Sequence, residues 1–124
     1  MPLNNPADTT ALKMKLESRA LDAASGDVAY TGYGFTPSAL LIVGYAALYD
    51  HSSIGSAEPA LTECCLWLDD TPAGEGAAIL GQWGIGNGQS CVLKTFDTDG
   101  FTLTWTKIGT SSAGPIALHC YAFK

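Results

Sequence analysis

The chain has 124 residues, 6 basic against 12 acidic side chains for a formal charge of −6, a hydrophobic fraction of 47% and a charged fraction of 15%. That is enough apolar material for one domain with a real core, and it excludes disorder over most of the length. The basic residues Lys13, Lys15, Arg19, Lys94, Lys107 and Lys124 are too scattered to neutralise a phosphate backbone, and the apolar stretch 39–48, broken by Gly44, is shorter than the ~20 residues of a spanning helix, so neither nucleic acid nor a membrane is an expected partner.

Residues 1–10 hold Pro2, Leu3, Asn4, Asn5 and Pro6 without periodicity and are predicted as an extended arm. They lack the basic and apolar regions of an export signal, which points to synthesis in a cytosol. Over 12–20, Leu12, Met14 and Leu16 alternate with Lys13, Lys15, Glu17 and Arg19, the period of a strand with one wet face. A helix is the rival there, because Leu12, Leu16 and Ala20 are spaced by four; the regular alternation of charge favours the strand. A short strand at 28–32 runs into Gly32-Tyr-Gly-Phe-Thr-Pro37, where glycine and proline make a turn.

Residues 39–49 read as a long strand whose unbroken hydrophobicity implies burial on both faces, between two sheets or between a sheet and a neighbouring subunit. A polar loop is expected over 50–60. Five more strands follow at 61–68, 77–83, 90–96, 101–107 and 116–123, separated by turn-rich connectors at 69–76, 84–88, 97–100 and 109–114. In the clearest of them Phe101, Leu103 and Trp105 share one face and Thr102, Thr104 and Thr106 the other. The last is apolar throughout, as a central position or an oligomer contact would require. About eight closely spaced strands without a long helix define an all-β protein, an antiparallel β-sandwich or jelly roll over 11–124 behind the short N-terminal arm.

Chemistry-bearing patterns are sparse. Cys64, Cys65, Cys91 and Cys120 lack zinc-ligand spacing and read as mostly reduced and buried, with the adjacent pair facing opposite sides of a strand. Gly84-Ile-Gly-Asn-Gly88 precedes a strand rather than a helix, so it reads as a hairpin loop and not a phosphate cradle. Asp97-Thr-Asp-Gly100 lacks the glutamate that completes a calcium loop and reads as a tight turn with Asx hydrogen bonds. A calcium site shared with Asp69 and Asp70 is the alternative to that turn.

His51, in the expected loop, and His119, in a strand, belong to no nucleophile motif, and Asp69 and Asp70 point apart in an extended chain. No catalytic residue, metal or cofactor is assigned. Of the aromatic residues, Tyr33 between two glycines and Trp83 beside the glycine loop are the expected exposed faces for a ligand.

Two stretches, Ser25-Gly-Asp-Val-Ala-Tyr-Thr-Gly-Tyr-Gly-Phe-Thr-Pro-Ser-Ala-Leu-Leu41 and Asp97-Thr-Asp-Gly-Phe-Thr-Leu-Thr-Trp105, resemble a group of small tailed-phage virion proteins. In those proteins a Gly-Phe-x-Pro turn leads into a buried strand, and an Asp-Gly-Phe-Thr-Leu-x-Trp strand precedes an apolar C-terminal strand. The resemblance spans about 26–123 and transfers no functional residue. It implies an all-β, trimeric subunit on the virion surface that binds the major capsid protein.

A head decoration or cement role is preferred to a fibre shaft, since the chain has no heptads and no collagen-like repeat. The arm, through Pro2, Leu3, Asn4, Asn5 and Pro6, would anchor to the shell. The alternative is a tail fibre or spike component that binds a host glycan through Trp83 or Tyr33.

Overall fold

The computed structural model describes residues 11–46, 51–59, 63–68, 73–75, 79–82, 87–111 and 113–124, with the backbone alone at 67–68, 73–75 and 79–82. Ten strands occupy the described residues: β1 (Leu12–Ala20), β2 (Gly26–Tyr30), β3 (Ala39–Ala46), β4 (His51–Ala57), β5 (Glu63–Leu68), β6 (Ala73–Glu75), β7 (Ile79–Gln82), β8 (Gly88–Asp97), β9 (Gly100–Ile108) and β10 (Pro115–Phe123). One sheet has the order β1-β10-β3-β4-β5-β6 and the other β2-β9-β8-β7. Every pairing is antiparallel.

The protein is an all-β antiparallel sandwich. Its first three strands change sheet at each step, and β10 and β9 return beside them as β1-β10-β3 and β2-β9, the crossing pattern of a jelly roll. The middle of the chain departs from a jelly roll: β3 to β6 and β7 to β9 are plain meanders within one sheet each.

Alternation builds the core. Leu40 and Ile42 of β3 and Ile116, Leu118 and Cys120 of β10 project from the larger sheet onto Phe101, Leu103 and Trp105 of β9. Phe101 is sandwiched between Tyr30 and Tyr33, with ring centroids 5.3 and 5.1 Å away. β10 lies between β1 and β3 with Ile116, Leu118, Cys120 and Ala122 buried on its inner face, while His119 and Phe123 on its outer face are exposed.

Three expectations change. Residues 51–57, expected within a polar loop, form β4, paired on both sides by β3 and β5. Its serines and glycine read as turn chemistry, yet Ser53, Gly55 and Ala57 are small residues buried on the inner face of the sheet. The connector expected over 69–76 contains the short strand β6.

The strand over 12–20 is present with its faces reversed. The alternate residues Lys15, Glu17 and Arg19 are half-buried beneath the sheet, while Leu12, Met14 and Leu16 are exposed above it. The reason lies below β1, where polar partners await the charged side chains: the Thr31 carbonyl accepts from Lys15 Nζ at 2.5 Å, and Glu17 Oε1 accepts from the Tyr33 hydroxyl at 3.2 Å. Arg19 donates to the Ala24 carbonyl at 2.6 Å and lies over the Trp105 ring at 5.1 Å.

Candidate functional site

The feature that the fold assembles from all over the chain is the outer face of the six-stranded sheet. Because the strands pair in register, outward residues align into rows across it. Leu16 of β1 stands opposite His119 of β10, which stands opposite Val43 of β3, then Ile54 of β4 and Leu66 of β5. The next row is Met14, Tyr121, Leu41, Ser56 and Cys64, and Leu12, Phe123 and Ala39 continue the face at one end. On the other side of the central row Ser18, Ala117, Tyr45 and Ser52 align.

No Asp, Glu, Lys or Arg occurs in these rows. Leu16 is 64% exposed, Met14 51%, Leu12 47%, Leu66 46%, Tyr45 44% and Ile54 42%, so a band of large apolar side chains runs across the sheet from β1 to β5. With strands ~4.8 Å apart and ~3.4 Å per residue, five strands by seven residues cover roughly 500 Å². That is at the upper end of what monomeric surfaces leave open, and such patches mark contact sites.

The opposite outer face, on the four-stranded sheet, is polar. It carries Asp27 on β2, Thr102, Thr104 and Thr106 on β9 and Ser90 and Thr95 on β8, with Val92 its one large exposed apolar side chain among the described residues. Asp27 pairs with Lys94 and accepts the Thr104 hydroxyl at 2.6 Å. The bond to Lys94, followed by that to Thr104, holds the Asp27 carboxyl below the usual carboxylate range.

At one end of the sandwich the β8–β9 turn grips the loop after β2. Asp99 accepts the Gly32 N–H at 2.9 Å and the Gly34 N–H at 2.7 Å, and its carbonyl accepts the Tyr33 N–H at 3.0 Å. Gly32 and Gly34 have φ of +86° and +82°, backbone that glycine adopts without a side-chain clash. This is the tight turn expected of 97–100, with Asp97 also accepting from Thr95 and Thr102 at 2.8 and 2.7 Å. Its carboxylates are occupied by the chain's own donors.

The loop clamp also decides the fate of Tyr33. Expected to be exposed between its glycines, it is 3% exposed, its ring packed on Phe101 and under the Lys15 ammonium. Burial raises its hydroxyl well above the ordinary tyrosine range, and it offers no open face for a ligand. Trp83 and the arm residues Pro2, Leu3, Asn4, Asn5 and Pro6 lie outside the described residues, as do Asp69, Asp70 and most of the glycine loop.

Cys65, Cys91 and Cys120 are buried thiols and Cys64 is an exposed one, so the adjacent pair does face opposite sides of β5. Burial, with the Glu17 charge nearby, pushes the Cys120 thiol up to about 12, which suits a packing residue and not a nucleophile. Among the described residues no group of three His, Cys, Asp or Glu side chains stands close enough to hold a metal ion. His119 is an exposed member of the outer face, and His51 is half-buried on β4.

The exposed apolar residues of β1 escape a reading of the sequence because alternation reveals the period of a strand and not which face is dry. The signal available was the length of the charged side chains at Lys15, Glu17 and Arg19, which reach polar partners that no local pattern discloses. No family model, no curated protein and no solved structure matches the chain. What the molecule itself defines is an antiparallel β-sandwich with one apolar and one polar outer face.

Proposed function

We propose that this chain is a structural subunit of a tailed-phage virion, a decoration or cement protein made in the host cytoplasm and carried on the outside of the head. The observation that carries the reading is the contrast between the two outer faces. A sandwich that works alone in water has no use for an uncharged apolar sheet face, whereas a subunit completed by its neighbours does. The resemblance of 26–123 to small virion proteins supplies the particle, and the net charge of −6 suits the outside of a shell better than a surface against packaged DNA.

The mechanism is adhesive. Apolar strand faces close contacts around each subunit and the arm 1–10 reaches the major capsid protein, so parting the shell re-exposes buried surface. Immunogold electron microscopy of the particles with antibody to this chain tests the reading. Regular labelling of the head is expected; labelling at the tail tip would move the assignment to a fibre or spike, and absence from particles would end the virion reading. Deleting residues 1–10 is expected to abolish binding to undecorated heads, and unchanged binding would remove the arm from the mechanism.

A further inference from the structure

We infer that the outer face of the six-stranded sheet is where a second copy of this chain packs. The inference names the partner for the apolar face on which the structural-subunit reading rests, and it can fail without that reading failing. Three observations select a second copy.

Among the described residues the paired rows of the face hold no Asp, Glu, Lys or Arg, and Glu58 lies only at its end beside Ala39 and Phe123, so the middle of the face offers nothing to a partner recognised by charge, and an identical apolar face complements it without leaving an ion unpaired. Asp27, Asp97 and Asp99, three of the chain's twelve acidic residues, lie on the opposite sheet or its turns, so two copies meeting through this face hold those three charges apart. Finally, the area is right for a small specific contact. Roughly 500 Å² from each of two copies gives about 1,000 Å², the threshold at which an interface becomes specific.

The contact is sheet on sheet, the same packing that joins the two sheets inside the molecule, with layers about 10 Å apart. Leu16, Ile54 and Leu66 of the central row, with Met14 and Tyr45 beside it, are the exposed side chains that would fill that gap.

Sedimentation velocity on the full chain, over concentrations up to about 100 μM, reads the association directly. Reversible formation of a dimer or a larger closed oligomer is expected. Leu16→Asp and Ile54→Asp, on different strands of the same row, are each expected to weaken it at least about 100-fold, because a carboxylate would be buried without a partner. Val92→Asp puts the same charge on the four-stranded sheet and is expected to leave association unchanged.

Circular dichroism and the melting midpoint of each variant monomer establish that it is folded. A wild-type chain that stays monomeric throughout overturns the inference, as does a Val92→Asp variant that dissociates as fully as Leu16→Asp. Binding of these proteins to undecorated heads separates the two claims. A monomer that still decorates heads sinks the second copy and leaves the virion role, with the shell as occupant of the face; an oligomer that never binds heads does the reverse.

Discussion

Trp105 donates its indole Nε1–H to the Tyr30 hydroxyl at 3.0 Å, deep between β9 and β2. Both rings are buried, Trp105 at 1% and Tyr30 at 5% exposure, so this bond satisfies a donor that has no access to water. Burial pushes the Tyr30 hydroxyl up to about 12, which keeps it protonated at neutral pH. Tyr30→Phe removes the acceptor and leaves the indole N–H unsatisfied. A loss of about 1–3 kcal/mol in urea unfolding is expected, without change in the denaturant slope.

Gln89 is a fully buried amide that holds the turn after β1. Its Nε2 donates to the carbonyls of Leu21 at 2.9 Å and Ala23 at 2.8 Å, while Oε1 accepts from Arg19 at 3.4 Å. Gln89→Leu keeps similar bulk and removes every one of these bonds. It is expected to cost about 1–3 kcal/mol and to raise hydrogen exchange at 21–25 more than at β9, read by mass spectrometry.

Asp99 carries a pH dependence whose sign is determined by its hydrogen bonds. The N–H groups of Gly34 and then Gly32 stabilise the carboxylate, so its folded pKa lies below the ordinary value. The group therefore contributes stability above the ordinary carboxylate range, and that contribution is lost as pH falls through the lowered folded value. Asp99→Asn is expected to lower the melting midpoint at neutral pH and to narrow the difference from wild type as the pH approaches 3. A constant difference across that range would remove the carboxylate charge from the explanation.

Gly100 has a steric reason to be glycine. A Cβ there would sit 1.9 Å from the Tyr30 carbonyl oxygen, whereas at Gly26, with nearly the same φ (+156° against +154°), it would meet nothing within 4 Å. Gly100→Ala is thus expected to destabilise by at least about 2 kcal/mol more than Gly26→Ala, since β2 and β9 must separate to admit the methyl group. Equal effects in thermal unfolding would show that backbone conformation alone, and not the contact, governs both sites.

The inner faces were legible because they are built from local alternation. Phe101, Leu103 and Trp105 against Thr102, Thr104 and Thr106 state both the strand and its buried side within six residues. β4 was hidden because a strand whose inward positions must be small has the composition of a turn at Ser53 and Gly55. The burial of Tyr33 is hidden for a related reason: flanking glycines signal a turn, but the Asp99 clamp folds that turn back over Phe101.

What the sequence by itself determined is the all-β class, most strand positions and the absence of a dense basic surface, since these follow from period, turn chemistry and charge count. Which side of β1 is dry, and hence the existence of the apolar outer face, was decided by the tertiary structure alone. Alternation is symmetric about the strand, and only the arrival of Thr31, Tyr33, Gln89 and Trp105 beneath it draws Lys15, Glu17 and Arg19 inward and turns Leu12, Met14 and Leu16 out.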